Sequence, residues 1–226
     1  MKKIIASILL VSALLIAGCV NKTTTTTSTT GDINSGTTAS GTNTVTVKPE
    51  AKKGAEVKVA QDQKVQWVAQ KIGTTHTGTV DILPESVIQV NTQGNILGGK
   101  IIVAMKTISE SETKEGGVTK HLLGPDFFDV ENHPTAVIEA TSVDYTQAEG
   151  GNTVTTTTTV TANLTIKGIT KLVTFPATLT QDGDFLLLSA KLELNIKDFD
   201  LGTSLLGKIA LKDIFTIELN KVTFTR

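Results

Sequence analysis

The sequence predicts an all-β fold, a closed antiparallel barrel of about eight strands with one short helical excursion. Three observations predict it. Segments of alternating apolar and polar residues recur from Val65 to the C terminus, the period expected of half-buried strands. Turn signals rich in Gly, Asn and Asp separate them. Aromatic residues make up only 4% of the 226 residues, so Val, Ile and Leu carry the apolar payload, as suits a pleated, β-rich core. Closure removes the edges that so long a sheet would expose. Eight strands leave room either for packed side chains or for one ligand.

The N terminus reads as an address. Met1-Lys2-Lys3 is a positive region, and Ile4 to Ile16 is apolar but short for a membrane-spanning helix. Leu15-Ile16-Ala17-Gly18-Cys19 then places an aliphatic residue and two small residues before a cysteine. This resembles a bacterial lipobox, in which the signal (1–18) is removed and the cysteine is acylated. Two or three acyl chains anchor firmly where one is marginal. Cys19 is the only cysteine, so no internal disulfide forms and the core alone holds an exported domain. The expected location is the bacterial cell envelope, lipid-anchored and facing periplasm or exterior.

Residues 19–54 read as a tether. Asn21 to Val47 is mostly Thr, Ser, Gly and Asn, too polar to order itself by burial. About 25 such residues span roughly 25–30 Å as a coil. Pro49 to Val59 is a charged transition, and the folded domain is expected over 55–226.

Within that domain, Val65, Trp67 and Ala69 alternate with polar neighbours in a first strand. Thr75 to Val80 continues as a second extended piece, and Ser86 to Asn91 is a third. Ile96 to Ile108 is a long strand with Leu97, Gly99, Ile101, Val103 and Met105 on one face. Gly98-Gly99 within it predicts a bend or bulge. Ser109 to His133 loses the alternation and reads as a loop followed by short helical turns. Phe127 and Phe128 stand there in a polar segment, either plugging the core beneath a loop or gating a cavity mouth. Asp126, Asp129 and Glu131 read as caps of those turns. Pro134 to Tyr145 returns to strand with Ala136, Ile138 and Ala140 inward.

Val154 to Leu179 is the clearest element. Val154, Thr156, Thr158, Val160, Ala162, Leu164 and Ile166 form one face and polar residues the other. Lys167-Gly168 marks a tight hairpin turn, after which Val173, Phe175, Ala177 and Leu179 share a face. Asp182-Gly183 marks another turn. Leu186 to Ile196 then alternates cleanly, and after a loop (197–208) Ile209, Leu211, Phe215, Ile217 and Leu219 define a last strand.

Other chemistries find little support. Net charge is −1, which gives no field for nucleic acid. His76, His121 and His133 have no metal-ligand spacing, and no nucleophile elbow or phosphate-binding glycine loop occurs. No catalytic residue, metal or cofactor is expected. A homodimer is compatible with the sequence, though no residue demands one.

Two blocks carry a resemblance. Lys120-His121-Leu122, Asp126-Phe127-Phe128-Asp129-Val130 and Pro134-Thr135-Ala136 form one, and Asn163 to Lys171 with Val173-Thr174-Phe175 the other. Together they resemble the YceI-like family of lipid-binding proteins, over roughly Val65 to Phe224. The resemblance implies a lipocalin-like barrel holding a polyisoprenoid or other long-chain lipid, such as an isoprenoid quinone or polyprenyl lipid, for storage, transport or protection. Its lining would be Trp67 from the first strand, Ile101, Val103 and Met105 from the long strand, and Phe127 and Phe128 from the loop. Ile138, Leu164, Ile166 and Phe175 would follow, then Leu188, Leu192 and Leu194, and finally Phe215 and Ile217. The sequence departs from the family pattern near Lys71 to Gly78, where an aromatic-rich stretch is usual, and at Ile196, where arginine is common. Read from the residues alone, the same inward positions fill a solid core, and the domain is then a structural or interaction module on a stalk.

Overall fold

In the computed structural model the described residues are 44–47, 54–71, 73–111, 117–146, 154–202 and 211–226. The signal peptide, Cys19, most of the tether, the Gly-rich run before α1 and Ile209 lie outside them.

Eleven strand segments run antiparallel: β1 Thr44–Val47, β2 Ala55–Val59, β3 Lys64–Lys71, β4 Thr74–Ile82, β5 Val87–Val90, β6 Ile96–Glu110, β7 Thr135–Thr146, β8 Val154–Ile166, β9 Ile169–Asp182, β10 Phe185–Asn195 and β11 Leu211–Thr225. A helix, α1 (Gly117–Leu123), follows β6, and a 3-10 turn (Ile196–Phe199) follows β10. Hydrogen bonding runs β3–β4–β6–β7–β8–β9–β10–β11 and returns to β3. The result is a closed eight-stranded barrel, the architecture the alternation predicts.

The extra segments arise from an interruption. Lys58 faces Val87, and six residues on along each strand Lys64 faces Asp81. β2–β3 and β4–β5 are therefore one long hairpin, broken at the turns around Asp62 and Pro84. Ser86 repairs the gap against β6. Its buried hydroxyl donates to the Ile102 carbonyl (3.2 Å) and accepts from the Ile102 N–H (2.9 Å). A side chain thus satisfies backbone groups that a continuous ladder would have paired.

β8 and β9 form the longest ladder, thirteen consecutive pairs from Val154 to Ile166. Lys167 (φ 49°) and Gly168 (φ 75°) make the two-residue turn, the left-handed pair that matches strand twist. The inner face is the apolar one. On the outer face threonine hydroxyls meet across the ladder: Thr165 with Thr170 (2.8 Å), Thr161 with Thr174 (3.2 Å) and Thr155 with Thr180 (3.3 Å). Each such pair contributes roughly 0.2–1 kcal/mol, so the threonine run is a wet face with its own cross-links.

β6 is irregular on both sides. Gln89 faces Gly98 but Val90 faces Ile96, so Leu97 is an extra residue. The predicted bulge is present, and it reverses the inward face there. Ile96 joins the core, while Leu97 packs outside it near Gly54. A second shift follows between Ala104 and Ser109, where Thr107 Oγ1 accepts from the Asp81 N–H and donates to the Ala104 carbonyl. Met105 and Ile108 are consequently both in the core. The ladder between β6 and β7 is short, five pairs from Lys100–Glu139 to Ala104–Thr135.

One end of the barrel is capped by α1, the 124–133 loop and the 3-10 turn. Lys167 Nζ, at the β8–β9 tip, donates to the carbonyls of Pro125 (3.0 Å) and Asp200 (3.3 Å). The Gly202 N–H donates to the Asp126 carbonyl (2.8 Å). The three acidic residues do not cap helical turns as expected, because α1 ends at Leu123, before them. The Asp129 carboxylate instead accepts from Asn132 Nδ2 within the loop, and Glu131 pairs with Lys106 at 3.0 Å.

Candidate ligand-binding site

Among the described residues, the centre of the barrel interior is lined by apolar side chains around two small voids. One, of about 80 Å3, lies towards the capped end and is bordered by Trp67, Met105, Phe128, Leu164, Ile166 and Phe215 among others. The second, of about 50 Å3, lies further along β8 and is bordered by Ile88, Ile96, Val160, Phe175 and Leu188. Ile101, Ile138 and Leu219 border both and form a waist between them.

The second void is there because its walls are small. Gly98, Gly99, Ala140, Ala162, Ala177 and Ala190 line it, positions where larger residues would fill the space. At about 24 cal/mol per Å3 the two voids together cost roughly 3 kcal/mol of stability. Both are smaller than the ~150 Å3 cavity that admits a benzene ring. As it stands the interior is nearer to a filled core than to an open tube.

Of the anticipated lining residues, Trp67, Val103, Met105, Phe128, Leu164, Ile166, Leu192, Phe215 and Ile217 border the first void. Phe175 and Leu188 border the second, and Ile101 and Ile138 border both. Phe127 and Leu194 are buried but border neither. Phe127 stands edge-on behind Phe128 (4.8 Å between centroids) and closes over Gly202. Of the two aromatic neighbours, one faces the cavity and the other fills the cap. Sequence reasoning missed Val65, Val80, Ile108, Ala136, Val137 and Leu219 on the first void. Val65 and Val80 share the alternation that marks Trp67 and were legible; Ile108 was hidden by the bulge.

An aromatic group organises the capped end. Trp67 stacks on Phe215 (5.8 Å, 14°), and Phe128 meets Phe215 edge-on (6.1 Å, 74°). Gly78 faces Trp67 across the β3–β4 ladder. A Cβ there would lie 2.5 Å from Trp67 Cζ2 and 1.8 Å from the Ser109 carbonyl oxygen. Only glycine lets the indole lie flat against β4. Beside it His76 Nδ1 meets Glu110 Oε1 at 2.6 Å, with the Glu110 side chain almost fully buried. Glu110 faces Gly78 across the β4–β6 ladder, and its N–H donates to Thr119 Oγ1 of α1 (3.0 Å). This pair ties α1 to the barrel rim.

Opposite the cap the interior turns polar. Asn95 and Thr156 are buried, with Thr156 Oγ1 donating to Asn95 Oδ1 (3.1 Å). The Asn91 side chain accepts from the N–H groups of Gln93 and Asn95. Among the described residues no group of three or more His, Cys, Asp or Glu is placed to hold a metal.

The YceI-like domain family matches residues 20–223. This chain belongs to the YceI-like family. Solved structures with the same fold include BcnA from Burkholderia cenocepacia, at 20% identity over 74% of this chain and 99% of that one, TM-score 0.57. Another is a polyisoprenoid binding domain from Saccharophagus degradans implicated in plant cell wall breakdown, at 13% identity over 76% of this chain and 98% of that one, TM-score 0.54. No curated protein sequence matches. In this YceI-like chain the two sequence blocks that carry the family resemblance meet at the cap, where Lys167 of one bonds the loop of the other.

Proposed function

We propose that this YceI-like barrel binds a long-chain apolar lipid of the polyisoprenoid class along its axis, at the bacterial cell envelope, where an acylated Cys19 tethers it. The observation that carries the reading is the pair of voids lined by apolar side chains in line along the barrel, one of them walled in part by alanine and glycine. A core selected only for stability would fill them. The S. degradans domain, which shares the fold, is a polyisoprenoid binder.

A chain entering this interior must turn the waist residues Ile101, Ile138 and Leu219 aside. Off-rotamer side chains cost about 0.5–1.5 kcal/mol each. Each methylene buried returns about 0.8 kcal/mol, so a chain for which the interior widens is held by apolar burial without any catalytic group. The role is storage, transport or protection of the lipid.

The modest void volume also supports a second reading, a solid barrel serving as a structural or interaction module. One experiment separates the two. The full chain is made with its own N terminus in a quinone-producing bacterium, and its mass is read under native conditions before and after organic extraction. A removable mass of several hundred daltons supports the carrier. A bare polypeptide that takes up no added long-chain quinone supports the module.

A further inference from the structure

The two ends of the barrel are closed by devices of unequal strength. At one end α1, the 124–133 loop and the 3-10 turn are tied together through Lys167 and Gly202. At the other end the turn between β5 and β6 (91–95) folds inward over the interior. It is braced within itself. Asn91 Oδ1 accepts from the N–H groups of Gln93 (3.0 Å) and Asn95 (2.9 Å), and the Asn91 N–H donates to the Asn95 carbonyl (3.0 Å). Its hold on the far wall is slighter. Thr156 Oγ1, on the inward face of β8, donates to Asn95 Oδ1 at 3.1 Å, and Gly94 lies against the side chains of Gln181 and Arg226.

Three features make this a closure that opens. The β5–β6 hairpin that carries the turn is held along one edge: β5 pairs with β2, whereas the β6–β7 rungs begin only at Lys100, past Gly98 and Gly99. Moving elements are drawn from such weakly held segments. Closure also strands a hydroxyl. Thr158, two residues deeper on the same face of β8, is 3% exposed and its Oγ1 has no partner, a penalty that water removes on opening. Finally, the hairpin walls the second void, with Ile88, Ile96, Gly98 and Gly99 bordering it. Resting on the lipid-carrier reading above, we propose that the 91–95 turn is a lid latched by the Asn95–Thr156 hydrogen bond, and that a long-chain lipid enters and leaves through the mouth it covers while the capped end stays shut. The tether joins the barrel at this same rim. Thr44, the β1 residue nearest Cys19 in sequence, faces Thr146 at the end of β7.

The test uses the full chain and two isosteric substitutions on one face of β8. Thr156→Val removes the latch and leaves Asn95 Oδ1 unpaired under a closed lid. Thr158→Val removes the hydroxyl that closure strands. Protein loaded with a prenylated naphthoquinone, which quenches emission from the single tryptophan, is mixed with phosphatidylcholine vesicles, and the return of emission gives the transfer rate. Transfer should be roughly five- to tenfold faster in Thr156→Val, the loss of one hydrogen bond, and slower than native in Thr158→Val. Lys167→Met, which loosens the cap, should leave it unchanged. Opposite signs from two like substitutions in one strand are not what lost packing produces. Lid opening is also read without lipid. In a Cys19→Ser background the thiol of Thr158→Cys should react with a maleimide several-fold faster once Thr156→Val is added. If Thr156→Val does not fold, Thr158→Val still decides, since transfer at or above the native rate overturns the proposal. Rates equal in all four proteins, or a rate that answers to Lys167→Met and not to the β8 pair, overturn the lid and leave the lipid carrier intact. If no protein takes up the quinone, the carrier reading fails and the port with it, and the labelling rate alone decides whether the turn opens.

Discussion

Single residues hold this barrel to its shape where the ladder fails. Gly78 is one. An added methyl collides with the Ser109 backbone and the Trp67 ring, and neither can retreat cheaply. Gly78→Ala should lower the thermal midpoint well beyond the roughly 1 kcal/mol average for a substitution and broaden the near-ultraviolet signal of Trp67. Ser86 is another. Ser86→Ala leaves the Ile102 N–H without its acceptor, while the Ile102 carbonyl keeps the Leu83 N–H, and should cost about 1–3 kcal/mol in urea titration. The alanines of the second void act in the opposite sense. Ala162→Leu fills space that is now empty, so lipid carried per protein should fall. Stability should change by less than the 1–3 kcal/mol typical of overpacking a tight core. An unchanged lipid load would mean that the void is not part of the ligand path. At this scale the sequence was only partly legible. Alternation finds Ile101, Leu164 and Phe215 because large apolar residues mark a face. It puts Ala162 and Gly99 on inward faces but cannot find the void beside them, because a void is made by volume that is missing. It misplaced Leu97, because one extra residue reverses every side chain beyond it.

Among the elements, the β8–β9 hairpin was readable in full: its faces, its turn and its length follow from period-2 alternation and from Lys167-Gly168. β1 was not. Thr44–Val47 lies in a Thr-rich run expected to remain an unordered tether, yet it pairs with Val143–Thr146 of β7. Their Thr-Val-Thr-Val alternation is a strand signal too short to stand out from the run around it. Their partner does, because β7 beyond Glu139 has left β6 and offers a free edge. Val45→Pro removes a ladder donor and should speed hydrogen exchange over Val143–Thr146 while leaving β8–β9 unaffected. The cap was legible as sequence blocks but not as a joint. Lys167 reads as a turn residue and serves also as the tie between hairpin tip, loop and 3-10 turn. Lys167→Met should increase exchange in the 124–133 loop with little loss of global stability, since the bonds it removes are exposed. Equal exchange in both proteins would show the tie to be dispensable.

At the scale of the molecule, the proposed reading joins an export signal, a tether and a barrel into a lipid site that stays with its membrane. Cys19→Ser should move the protein from the detergent fraction to the aqueous one in phase partitioning, with the barrel still folded. A variant that remains in the detergent fraction would count against the acyl anchor.

The uneven ladders have a mechanical consequence. β8 and β9 are joined along thirteen rungs, whereas β6 is held to β7 by five, against four to β4 and four to β5 on its other side. Such a ring behaves less like a hoop than like a spring clip, stiff around most of its circumference and able to gape along one seam. The β6–β7 seam begins at Lys100, directly after Gly98 and Gly99 beside the second void, so the seam with few rungs has hollow space behind it.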